Sequence, residues 1–160
     1  MADTPFPLHN TTGLPLEPPN QDERTMATLA HVLQLVGWWI APLIIFVIKR
    51  QSKFVSFHAL QALLLQLVQM IVFGIVMVAW FFLIFSTVLL HPAPKNAPPP
   101  PAVFVVFPLI WLAMMSLWVL LITVAIVYGI KAGSGEWAEY PVLGRLARRM
   151  LRLGPGGVPL

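Results

Sequence analysis

Apolar positions in this chain fall in three long runs instead of recurring at the three-and-four spacing of a soluble amphipathic helix. The first run follows a good helix start. Asn20 suits an N-cap, and Glu23 stands three residues on, where a capping-box carboxylate belongs. Thr28, His31 and Gln34 lie early in the run, and Val32 to Ile48 is otherwise almost wholly apolar. Residues 29–48 therefore predict a first membrane span. At 1.5 Å per residue it reaches about 30 Å, one hydrocarbon core. Pro42 kinks or breaks it. A re-entrant hairpin around Gly37 and Pro42 is the alternative. The continuous span is preferred because irregular backbone at membrane depth must be buried in protein.

The second run, residues 57–90, is too long for one straight crossing. Residues 71–90 carry no charge or amide and predict the second span. Residues 57–70 carry His58, Gln61, Gln66 and Gln69, which share an arc of about 140° on a helical wheel. This polar face predicts a helix lying at the interface or turning its amides inward. A proline-rich loop, 91–107, follows, with Pro98 to Pro101 expected as polyproline II. Pro108 suits a helix first turn, and residues 109–130 predict the third span. Ala125, Gly129 and Gly133 form a small-residue ridge at its end, which permits close helix packing. From Val142 to Leu153, Leu143, Leu146, Met150, Leu151 and Leu153 separate on the wheel from Arg145, Arg148, Arg149 and Arg152. That segment predicts a basic amphipathic interfacial helix, with Trp137 and Tyr140 as interface anchors. Residues 1–20 read as a disordered proline-rich tail, 21–153 as the membrane domain and 154–160 as a frayed end. The fold class is an all-α membrane protein of three transmembrane helices plus the interfacial helix.

Composition agrees. The chain is 58% hydrophobic and 10% charged, against roughly 25% charged in soluble domains. Its net charge of +4 is placed around the apolar runs, which favours contact with anionic lipids over nucleic acid. With three spans, the N-tail and second loop share two Lys and Arg residues, and the first loop and C-tail share the other eight. The positive-inside rule then places the N-terminus outside and the C-terminus in the cytoplasm of a bacterial inner membrane.

Candidate chemistry is sparse. Without cysteine, disulfides, thiol catalysis and cysteine-ligated metal centres are excluded. A continuous first span separates His31 from His58 by about 27 Å, so one metal or haem cannot join them unless the hairpin forms. None of the six carboxylates lies within an expected span, which counts against a proton- or cation-coupled transporter. Glu136 and Glu139 read as a solvated face. No catalytic, cofactor or metal site is expected, and the chain is not read as an enzyme.

Three local patterns carry a family resemblance: Leu29-Ala30-His31; Phe57-His58-Ala59-Leu60-Gln61-Ala62-Leu63 through Gln66; and Ala132, Gly135-Glu136 and Tyr140-Pro141. Over residues 22–146 the chain resembles the small bacterial membrane proteins grouped as domain of unknown function 4870, similar to the chloroplast import component Tic-twenty. The resemblance implies a three-helix inner-membrane protein and no activity. The leading expectation is a non-enzymatic accessory, assembly or scaffold component, alone as a homo-oligomer or within a larger membrane complex. The runner-up is an oligomeric channel or translocation component with His58, Gln61, Gln66 and Gln69 lining a polar path.

Overall fold

A computed structural model describes residues 17–90 and 101–154. Five helices follow in order: α1 (Gln21–Gly37), α2 (Ile40–Ile48), α3 (Lys53–Leu90), α4 (Pro101–Gly133) and α5 (Leu143–Leu151). The expected α1 start is found. Asn20 Oδ1 accepts the Glu23 backbone N–H at 2.9 Å, and the Glu23 carboxylate accepts the Asn20 N–H at 2.9 Å, closing a capping box.

The expected span 29–48 is not one helix. The chain leaves α1 at Trp38, whose φ is 50°, and restarts at Ile40. Pro42 explains the break. It cannot donate to the carbonyl four residues back, so it is accommodated in the first turn of a new helix, where that donor is not needed. Gly37 lets the two helices meet, since a Cβ there would lie 2.7 Å from the Ala41 Cβ. The hairpin folds back on itself. Lys49 Nζ reaches Asp22 Oδ2 at 2.6 Å, and Ser52 Oγ donates to Glu23 Oε1 at 2.6 Å. α2 has nine residues, about 14 Å, or half a hydrocarbon core.

Among the described residues two helices are long and apolar enough to cross a membrane, Lys53–Thr87 and Phe104–Gly133. α3 is continuous for 38 residues, about 57 Å, with no break at 70 to 71. Its environment changes instead. Phe54 through Ala62 is buried on every side, and from Leu67 onward most large apolar side chains are exposed. Residues 57–66 thus belong to the protein-covered start of α3, 67–70 continue the same helix with exposed apolar side chains, and 57–70 is not a separate helix. The loop expected over 91–107 is shorter, because α4 begins at Pro101 and carries Pro108 seven residues inside it. Residues 91–100, the tail 1–16 and the end 155–160 lie outside the described residues.

The described chain divides into two units. One comprises residues up to Leu67 together with Val124 onward; the other is Val68–Thr123. The second unit is two apolar helical stretches with outward-facing side chains, where Trp80 meets Phe107 at 5.6 Å between ring centres. The first unit holds α1, α2, α5, the start of α3 and the end of α4. There the small-residue ridge of α4 faces α1. A Cβ on Gly129 would lie 3.5 Å from Val32, and one on Gly133 would lie 3.1 Å from Thr28 Oγ1. The close approach lets Thr28 Oγ1 donate to the Gly129 carbonyl at 3.1 Å.

Candidate functional site

The hairpin brings together residues that a straight span keeps apart. His31 on α1 and His58 on α3 stand side by side, Nε2 to Nδ1 3.0 Å, both with no exposed surface. The separation of about 27 Å expected from a continuous span does not occur, because α1 turns back after Gly37. Tyr140, in the linker between α4 and α5, completes the row, its hydroxyl 2.8 Å from His31 Nδ1. At the other end His58 Nε2 lies 3.0 Å from the Glu136 carbonyl.

That carbonyl fixes every proton in the row. It can only accept, so His58 Nε2 carries the hydrogen. The neutral ring then offers Nδ1 as an acceptor to His31 Nε2–H. His31 Nδ1 in turn accepts from the Tyr140 hydroxyl. Each of these atoms is satisfied with both rings uncharged, which matters because no ionised side chain hydrogen-bonds to the row among the described residues and a buried unpaired charge is costly. Burial pushes the Tyr140 phenol above its ordinary pKa; the Gln34 amide opposes the shift and Tyr128 adds to it.

The glutamines extend the same design. Gln61 acts as a splint on the linker, accepting from the Tyr140 backbone N–H at 2.7 Å and donating to the Ala138 carbonyl at 3.2 Å. Gln66 donates to the Gln34 backbone carbonyl at 3.0 Å. Gln34 is itself buried, and its amide nitrogen and oxygen make no hydrogen bond among the described residues. Gln69 is half-buried and lies in the other unit. Phe54, Phe57 and Trp137 enclose the row, with Phe54 4.7 Å from the His58 ring and 5.2 Å from Trp137.

His58, Gln61 and Gln66 therefore hold the protein together and do not line an open path, so the channel reading is not supported. The row contains no carboxylate and no activated nucleophile. Among the described residues no group of three His, Asp or Glu is placed to hold a metal ion. Its chemical capacity is directional hydrogen bonding that joins α1, α3 and the α4–α5 linker into one unit. Tyr140 and Trp137 are buried and half-buried within it, and so are not the lipid anchors their types suggested. Sequence reasoning missed His31 as the hydrogen-bond partner of His58 and the Gln34 backbone carbonyl as that of Gln66. The available signal was that His31 and Gln34, three apart, share one helix face, as His58 and Gln61 do.

α5 packs beside this row. Gly144 approaches Gln61 and Glu139 so closely that a Cβ would fall 2.8 Å and 2.7 Å from them. Ala147 and Leu153 join Phe57 and Leu60 in a buried cluster. Of the four arginines, Arg148 is half-buried and paired with Glu139, whereas Arg145, Arg149 and Arg152 are exposed.

A family model described as the magnetosome magnetite crystal formation protein family (MamF/MmsF) matches residues 22–147, more than three-quarters of the chain. This match overturns the resemblance to domain of unknown function 4870 and to the Tic-twenty import component. The patterns that suggested it, such as His31, His58 to Gln66 and Tyr140, lie inside the matched residues. No curated protein and no solved structure matches the chain.

Proposed function

This chain belongs to the MamF/MmsF magnetosome magnetite crystal formation protein family, and on that premise we propose that it is an integral, non-enzymatic component of the magnetosome membrane. It takes part in crystal formation as a scaffold. The observation that carries the scaffold reading is the closed His31–His58–Tyr140 row. Its hydrogen-bonding groups are spent on internal partners and none faces a substrate.

The proposal includes a topology of two crossings and one re-entrant hairpin. The Lys49–Asp22 contact supports it by bringing the end of α2 back to the start of α1. So does the packing of Thr28 against Gly129, which sets the start of α1 beside the end of α4. Both chain ends then share one side with the loop at 49–52. Nine of the ten Lys and Arg residues fall there, and Lys95 alone falls on the other. This asymmetry exceeds the eight-to-two division of a three-span chain, and the positive-inside rule makes the basic side cytoplasmic.

A functional consequence follows from the carboxylates. Asp3, Glu17, Asp22, Glu23, Glu136 and Glu139 are all of them, and all fall on the basic side. Residues 91–100, facing the magnetosome lumen in this arrangement, bring His91 and Lys95 and no carboxylate. In this proposal the chain acts on the crystal by organising other membrane components, and it offers iron no carboxylate on the lumenal side.

The chain has no native cysteine, so single reporters are clean. In intact isolated magnetosomes, Gln51→Cys should react with an impermeant thiol reagent, and Asn96→Cys should react only after the membrane is opened. Labelling of Asn96→Cys with Gln51→Cys protected would reverse the topology. Deleting the chain from a magnetosome-forming cell should alter crystal size or number, with rescue by the full chain; unchanged crystals would refute the role in crystal formation.

A further inference from the structure

We infer that α5 is a docking surface for the anionic phospholipids of the leaflet it lies against, with Arg145, Arg149 and Arg152 as headgroup ligands and Arg148 excluded from that task. The argument begins with the two sides of this short helix. On a wheel set at 0° for Val142, the residues turned into the protein, Ala147, Leu151 and Gly144, fall at about 140°, 180° and 200°. Those turned outward form two neighbouring strips. Val142, Leu146 and Met150 span about 0° to 80°, and Arg149 and Arg145 fall at about 340° and 300°, with Arg152 exposed at the C-cap that follows. Val142 is 73% exposed and Met150 58%. A helix carrying an apolar strip beside a guanidinium strip, both free, fits the boundary between acyl chains and headgroups. Guanidinium groups match phosphate oxygens in bidentate geometry.

Two further observations select a lipid surface as the occupant. The first is charge complementarity. Arg145, Arg149 and Arg152 are exposed, and the acidic neighbour on the linker, Glu139, is already paired with Arg148. The second is continuity. α5 packs on Phe57 and Leu60 of α3, and only two turns later, from Leu67, α3 begins to expose its apolar side chains. The same small buried face explains how α5 is held. Gly144 and Ala147 admit the close approach to α3 and the linker, leaving the large residues outward. The four arginines, indistinguishable by spacing, thereby divide into three lipid ligands and one internal strut.

The test uses the full chain, purified in neutral detergent, with Met150→Cys carrying an environment-sensitive fluorophore. Phosphatidylglycerol or phosphatidylcholine is titrated into the micelles. Phosphatidylglycerol should shift the emission saturably, phosphatidylcholine should not, and added salt should weaken the response. Each exposed arginine contributes about five-fold to affinity for an anionic surface, so Arg145→Gln, Arg149→Gln and Arg152→Gln together should weaken the apparent affinity by on the order of 100-fold. Arg148→Gln should leave that affinity within about two-fold while lowering the chain's unfolding midpoint. Equal responses to the two lipids would overturn the inference. So would a triple variant that matches the parent, or an Arg148→Gln chain that loses the response as fully as the triple variant. None of these outcomes depends on which side of the membrane α5 occupies, so the topology and the lipid surface stand or fall separately.

Discussion

Replacing His31 by Leu removes two hydrogen-bonding atoms at the centre of the buried row and keeps the side chain's bulk. Its Nε2–H is the donor to His58 Nδ1, and its Nδ1 is the acceptor from Tyr140. The substitution therefore orphans two groups, His58 Nδ1 and the Tyr140 hydroxyl, both in a site without solvent access. An unsatisfied buried polar group costs about 1–3 kcal/mol, so His31→Leu should cost about 2–6 kcal/mol. Tyr140→Phe orphans one atom, His31 Nδ1, at a cost of about 1–3 kcal/mol. In the double variant only His58 Nδ1 remains unpartnered. Tyr140→Phe should therefore change sign: destabilising alone, it becomes stabilising by about 1–3 kcal/mol once His31 is Leu, because it deletes a hydroxyl that has lost its acceptor. The Gln34 amide lies beside Tyr140 and its oxygen has the capacity to accept a hydroxyl proton, so the cycle is run with Gln34→Leu throughout. The assay is unfolding of the full chain in mixed micelles by added SDS, followed by tryptophan fluorescence. Single effects that add within about 0.5 kcal/mol, or Tyr140→Phe destabilising the His31→Leu chain, would refute the hydrogen-bond order assigned to this row.

Two further outcomes test the packing and the electrostatics. Gly144→Ala should destabilise by about 1–3 kcal/mol, since its Cβ would meet Glu139 Cβ at 2.7 Å and Cα at 3.0 Å. Gly74→Ala, with nothing within 4 Å, should instead stabilise α3 by up to about 1 kcal/mol; both are read from thermal unfolding, and equal effects would show that the α5 contact is not tight. Burial raises the Tyr140 pKa, so the folded chain keeps the phenol neutral while the unfolded chain ionises near the ordinary value of about 10. Stability is then unaffected below that value and falls as pH rises through it towards the raised folded value; Tyr140→Phe should flatten the fall, and an unchanged slope would place the phenol in contact with water.

Local chemistry settled much of this protein before any tertiary contact was known. The start of α1 was legible because a capping box needs only Asn20 and Glu23 three residues apart. The apolar character of α3 and α4 was legible because hydropathy is a property of composition along the chain. The amphipathic α5 was likewise legible from helical periodicity, found at Leu143–Leu151 against an expected 142–153. The path of the first apolar run was decided by tertiary structure. A proline such as Pro42 is compatible with a kinked span or with the first turn of a new helix, and the choice depends on whether neighbouring protein satisfies the exposed backbone and polar groups. Here α3 and the linker do so, through His58 and Tyr140 on His31 and Gln66 on the Gln34 carbonyl. That one turn at Gly37 to Trp39 converted His31 and His58 from distant residues into neighbours and split the expected first span into two shorter helices. Long-range pairing also divided the four arginines. Spacing makes them equivalent, and only the position of Glu139 on a separate segment takes Arg148 out of the exposed set. Sequence periodicity reports which face of a helix is polar, whereas what that face meets is fixed by segments far along the chain.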